Sequence, residues 1–181
     1  IVLAPTSVEE YLSMLRWSLK QRENPVAILI PSTELCHATG PVRESFSLPA
    51  RYEIVSRGRE AAILAPGDMQ ALGKKTAAVL EEKYGLTPTL MNPGVVSDLD
   101  EALLGDLRKE HRAVLVLEDG LLSGGFGAKV ASFYGDSEMK VLLRGLPKAF
   151  YDRYRISTLL KAKGMTSEQL AESVVDAIGK N

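Results

Sequence analysis

One cysteine in 181 residues, Cys36, rules out an internal disulfide framework. No apolar run approaches the roughly 20 residues that a membrane span requires. Neither charge dominates: 22 basic and 23 acidic side chains are spread along the whole length for a net charge of -1, so no basic face is offered to nucleic acid or anionic lipid. These absences lead us to expect a cytoplasmic protein with no nucleic-acid or membrane partner. Histidine is scarce too. His37 adjoins Cys36 and His111 lies far along the chain, so neither a metal-ligand spacing nor a nucleophile–base pair can be read from them. The nucleophile elbow G-x-S-x-G is missing, Ser123 lying instead in Gly120-Leu121-Leu122-Ser123-Gly124, and a hydrolase is poorly supported. Repeats and low-complexity tracts are also lacking.

What is present suffices for one full core with a partial second unit, since 45% of the residues are hydrophobic. The chain opens on Ile1 without the charged region of a signal peptide, and we expect it to be a fragment of something larger. Ile1 to Ala4 reads as a strand. Thr6 and Glu9 form a capping box before a helix whose apolar stripe is Val8, Leu12, Leu15 and Leu19. A buried strand, Val26 to Ile30, then completes a βαβ piece of another domain. Residues 31–51 follow no period and read as a linker.

A second unit begins near Tyr52. Tyr52 to Val55, the turn Ser56-Arg57-Gly58-Arg59 and the apolar run Ala61 to Ala65 predict a hairpin, hence one antiparallel strand. Asp68 is placed to cap a helix with a stripe of Met69, Leu72, Thr76, Val79 and Leu80 that stops at Gly85. Strands follow at Leu86 to Met91, Ala113 to Leu117 and Lys140 to Leu143, alternating with helices at Asp98 to Lys109 and Phe126 to Phe133. The run from Arg144 to Arg155 reads as a solvated connector. Thr166 and Gln169 cap a last helix that buries Leu170, Ala171, Val174, Val175 and Ile178. Such alternation calls for an α/β fold, a mostly parallel sheet covered on both faces.

The stretch from Glu118 to Val130 carries the plainest chemical signal. A strand, a glycine-rich turn and a helix start could hold a phosphate on backbone N–H groups. The spacing fails the dinucleotide pattern, however: Gly125-Phe126-Gly127-Ala128-Lys129 runs into Val130, and no acidic residue stands about 20 positions on. Close packing of a helix, or of a partner, is the favoured reading, and it makes Glu118, Gly124, Gly125, Phe126 and Gly127 candidate domain or subunit interface residues. Glu118 and Asp119 could pair as acid and base, but carboxylates at a strand end are more often solvated or capping.

Seven segments in order resemble the C-terminal part of the transketolase superfamily: Leu3-Ala4-Pro5-Thr6-Ser7, Asn24-Pro25-Val26-Ala27-Ile28, Ala62-Ile63-Leu64-Ala65-Pro66-Gly67-Asp68-Met69, Leu99-Asp100, Val116-Leu117-Glu118-Asp119-Gly120, Ser123-Gly124-Gly125-Phe126-Gly127 and Gly145-Leu146-Pro147. The 1-deoxy-D-xylulose-5-phosphate synthases look closest. The resemblance implies that residues 1–30 end a pyrimidine-binding domain and that residues 52–181 are a three-layer α/β/α transketolase C-terminal domain. It also implies a homodimer whose parent chain uses thiamine diphosphate and magnesium to join pyruvate to glyceraldehyde 3-phosphate with loss of carbon dioxide. Neither cofactor motif of the family falls in this chain, so no catalytic, cofactor-binding or metal residue is expected in it, nor activity from it alone.

Four positions depart from the family pattern. Leu29 and Ser32 stand where the synthases carry arginines, one of which helps hold the acceptor phosphate, and Gly94 and Ser97 stand for an arginine and a lysine. Fewer cations weaken a phosphate-facing field. The parent is thus expected to have a changed acceptor or decayed activity. Two alternatives stay open: the C-terminal domain of a 2-oxoacid dehydrogenase β subunit, with a very similar glycine loop, and a non-catalytic assembly or anion-binding module.

Overall fold

Residues 1–31, 35–150 and 155–180 are described by the computed structural model, so Ser32 and residues 151–154 of the expected connector lie outside it. The chain starts with β1 (Val2–Leu3), α1 (Val8–Lys20) and β2 (Ala27–Ile28), and the two strands pair in parallel as the βαβ reading expected. The cap of α1 is one residue later than the sequence suggested. Ser7 Oγ accepts the Glu10 amide at 3.1 Å, and Glu10 reaches back to the Thr6 amide and hydroxyl at 2.8 Å each. Glu9 instead accepts from the Ala38 amide at 2.7 Å and pairs with His37 Nδ1 at 2.8 Å.

The leucine stripe of α1 is a second correction. Leu12 and Leu15 face outward and Leu19 is 71% exposed, whereas Glu10, Ser13 and Met14 are buried. Polar partners of Glu10 decide this, because a carboxylate matched by buried donors holds its helix face inward and the leucines must take the other side. The buried strand expected over Val26 to Ile30 is likewise shorter and more open: β2 covers only Ala27–Ile28, and beyond it Leu29 is 53% and Ile30 60% exposed.

Residues 37–52 form no helix or strand, but they are not loose. Phe46 and Ala50 are buried, and Phe46 meets Trp17 of α1 edge-on with ring centres 5.9 Å apart.

The main sheet has five strands, β3 (Glu53–Ser56), β4 (Glu60–Leu64), β5 (Thr89–Asn92), β6 (His111–Leu121) and β7 (Lys140–Leu146), in the order β3-β5-β4-β6-β7. All neighbours are parallel except β3 against β5. The single antiparallel strand is therefore present, but β3 and β4 do not form the expected hairpin, since β5 lies between them. Burial explains the order. All of Thr89 to Asn92 is buried and needs a strand on each side, while β3 keeps only Ile54 half-buried and suits an edge.

Alternation along the strands builds two cores. Ala62, Leu64, Val114 and Val116 face α3 (Glu101–Leu107), α4 (Phe126–Tyr134) and the amino-terminal βαβ piece. Ala61, Ile63, Ala113 and Leu115 face α2 (Met69–Tyr84) and α6 (Ser167–Ile178). The capping box of Thr166 and Gln169 on α6 and all five of its expected core residues are found, and Gly85 ends α2 in the left-handed region at φ 61°. Arg144 belongs to β7 rather than to a connector, and an unanticipated α5 (Ile156–Ala162) precedes α6. Among the described residues no helix is long and apolar enough to cross a membrane.

Candidate functional site

β4 leads by a crossover to β5 on one side of the sheet, and β6 leads to β7 on the other. Between the carboxyl ends of β4 and β6 the connections diverge and leave a crevice, the place where open α/β sheets form sites. A cavity of about 480 Å³ lies here. Its floor is Pro66-Gly67-Asp68 after β4, Glu118 to Gly120 of β6, and Gly124 to Phe126 at the start of α4; Val2, Ala4, Leu29 and Ile30 of the amino-terminal piece wall the far side.

Glu118 is only 7% exposed, and its Oε1 accepts the Gly127 amide at 2.9 Å. Burial pushes its carboxyl above the ordinary range, opposed by the amides of Gly127 and Phe126. A carboxylate at a helix amino end completes the orphan donors and meets the positive end of the dipole. The glycine turn thus has its anion already, supplied from within the chain where a phosphate would otherwise sit. Gly127 permits this contact: a Cβ there would stand 2.6 Å from Glu118 Oε1 and 2.9 Å from Leu143 Cδ2.

The five expected interface residues therefore come together around the start of α4, but they divide. Glu118, Phe126 and Gly127 are buried in the chain's own packing, and Phe126 meets Tyr52 edge-on with centroids 6.2 Å apart. Gly124, at φ +78°, is exposed, and Gly125 is half-buried.

The expected N-cap placement of Asp68 on α2 is found, in helical conformation, but its side chain makes no capping bond to the helix start. Its carboxyl lines the cavity instead, pushed up to about 6 by burial and by the negative charge of Asp119. Lys129 also lines the cavity but spends its ammonium on the carbonyls of Ser97 at 2.7 Å and Val96 at 3.4 Å. Of the four positions that depart from the family pattern, Leu29 and Ser97 line the cavity. Ser97 Oγ accepts the Val2 amide at 3.0 Å, and Gly94, at φ +67°, lies against the Arg43 guanidinium.

Because the Asp68 pKa is higher folded than unfolded, the folded state binds more protons between about pH 4 and 6, and stability falls as pH rises through that window. Asp68→Asn is expected to remove this slope. Urea titrations at pH 4.5 and 7 test it, and an unchanged difference between the two would contradict it.

The remaining candidates stand apart. Cys36 is exposed and bridges Ser7 through backbone, His37 pairs with Glu9, and His111 sits between the Leu107 carbonyl at 3.1 Å and Thr89 Oγ1 at 2.9 Å, its pKa lowered by burial. Among the described residues no three His, Cys, Asp or Glu side chains converge as metal ligands.

Residues 50–170 match the family described as the transketolase C-terminal domain. Curated relatives named 1-deoxy-D-xylulose-5-phosphate synthase include one from Shouchella clausii (strain KSM-K16), 31% identical over 98% of this chain and 28% of its own length, and one from Synechococcus sp. (strain CC9605), 34% identical over 97% and 27%. The chain spans little more than a quarter of either relative. Among solved structures, a split gene transketolase described as an inactive β4 tetramer superposes with a TM-score of 0.78 at 22% identity, over 98% of this chain and 57% of that one. A Pichia stipitis transketolase in complex with sedoheptulose 7-phosphate gives 0.72 at 16% identity, over 98% and 25%.

Proposed function

The chain belongs to the transketolase C-terminal domain family, and on that premise we propose that it is the C-terminal part of a thiamine diphosphate-dependent transferase of the 1-deoxy-D-xylulose-5-phosphate synthase type. The observation that carries this reading is that relatives of that name align along 97–98% of the chain. In it, residues 1–30 end a pyrimidine-binding domain, 31–51 link, and 52–181 form the C-terminal domain. The reaction would join pyruvate to an acceptor with loss of carbon dioxide, and the cofactor would act as the electron sink for that carbon chemistry.

The residues of this chain do not fit the cofactor. Asp68, Glu118 and Asp119 face the cavity, and three carboxylates oppose a diphosphate. The chain's own part is assembly: Glu118 fixes the start of α4, and the turn at Gly124 and Gly125 is offered to a neighbouring domain or to the second subunit of a homodimer. Leu29 and Ser97, which stand where the synthases carry cations, support an acceptor other than a phosphosugar.

A decarboxylation assay with pyruvate, thiamine diphosphate and magnesium tests the reading. We expect carbon dioxide release from a polypeptide of the relatives' length that contains this sequence, and none from the 181 residues alone. Silence from the longer protein would sink the transferase reading; turnover by the short one would sink the assembly role.

A further inference from the structure

The cavity between β4 and β6 holds more negative charge than the described residues neutralise. Asp68, Glu118 and Asp119 line it, and among the described residues none of the three takes part in an ion pair. Lys129 is turned to backbone carbonyls, as described above. The wall is apolar, and Leu29 and Ile30, more than half exposed, form part of its lining.

We propose that this cavity docks an arginine or lysine side chain carried on an apolar segment of a second copy of the parent polypeptide, its charged head entering beside Asp68 and Asp119 and its flanks covering Leu29 and Ile30. The inference rests on the interface reading of the glycine turn and names what that interface receives. Charge complementarity selects the occupant. An anion is refused by three carboxylates, and the start of α4 already has Glu118. A divalent ion lacks a converging ligand set among the described residues. A small hydrated cation would leave the leucine and isoleucine open to water, whereas a side chain on an apolar segment covers them while its head meets the acids. The volume, about 480 Å³, accommodates a whole side chain with its stem. Gly124 and Gly125 line the same cavity, so a partner backbone can approach closely there.

Two measurements decide it. In the first, n-butylguanidinium is titrated into the 181-residue chain and followed by amide NMR shifts, with neutral n-butylurea as control. Saturable shifts are expected at Asp68, Asp119, Gly124 and Gly125, weakened roughly tenfold in the Asp68→Asn, Asp119→Asn double variant and as the pH drops below 6. Equal binding of the urea, or binding indifferent to the double variant, overturns the proposal. In the second, association of the longer polypeptide is measured by sedimentation. If Gly125→Trp weakens association and the double variant does not, the cationic occupant is wrong and the interface stands. If neither weakens it, the interface reading itself fails and the proposal falls with it. Loss of association in both supports it.

Discussion

Gly58→Ala is expected to cost about 4 kcal/mol, although it adds a single methyl to the connection between β3 and β4. A Cβ at Gly58 would fall deep inside contact distance of the Thr87 carbonyl oxygen and 2.6 Å from Pro88 C, both backbone atoms that have no rotamer to give. Three hydrogen bonds fix the crossing. The Gly58 amide donates to Thr89 Oγ1 at 3.0 Å, that hydroxyl lies 3.0 Å from the Gly58 carbonyl, and the Arg59 amide donates to the Thr87 carbonyl at 3.0 Å. Making room for the methyl pushes the entry of β5 away and opens them. Overpacking of roughly 1–3 kcal/mol and about 1 kcal/mol for each strained bond set the scale. A lowered urea midpoint with an unchanged slope is the expected result, and a loss under about 1 kcal/mol would show that the crossing is soft.

The same crossing explains what sequence could not show. A turn at Ser56 to Arg59 between two apolar runs is the local signal of a hairpin, yet Gly58 is there to let β5 pass. Local turn chemistry is legible; which strand comes between two others is settled by burial of residues some 30 positions later. On α1 the period identified a helix but not its inner face, because Arg43 and Asn92, which draw Glu10 inward, lie 33 and 82 residues away. Where pattern and burial agree, as in the doubly covered β4 and β6 and the capped α6, sequence was sufficient. The site divides in the same way. The glycine turn was visible, and its failed dinucleotide spacing already argued against phosphate. Asp68 was hidden, since Pro66-Gly67-Asp68 reads as a helix start, and only the adjacency of β4 and β6 brings it toward Asp119.

Arg43→Met is expected to cost about 3 kcal/mol and to loosen the amino-terminal piece first. Glu10 is 2% exposed and accepts from Arg43 Nη2 at 3.1 Å, from Asn92 Nδ2 at 3.2 Å and from Thr6. Arg43 Nη1 also donates to the Arg51 carbonyl at 2.8 Å, and its guanidinium lies 5.4 Å from the centre of the Phe46 ring. One cation thus ties α1, the irregular segment and, through the shared Glu10, the end of β5. Removing it strands a carboxylate in the core, and the bonds from Asn92 and Thr6 keep the loss near the lower end of the 3–5 kcal/mol typical of a broken buried pair. Glu10→Leu added to Arg43→Met should recover only part of it, because the buried charge is gone but the donors of Thr6 and Asn92 lose their acceptor. Hydrogen exchange gives the location: amides of β1 and α1 should exchange faster while those of β4 and β6 stay protected, and equal acceleration throughout would refute a local role. The amino-terminal piece supplies Val2, Ala4, Leu29 and Ile30 to the cavity, so the same variant should also weaken n-butylguanidinium binding, with every carboxylate of the cavity still in place.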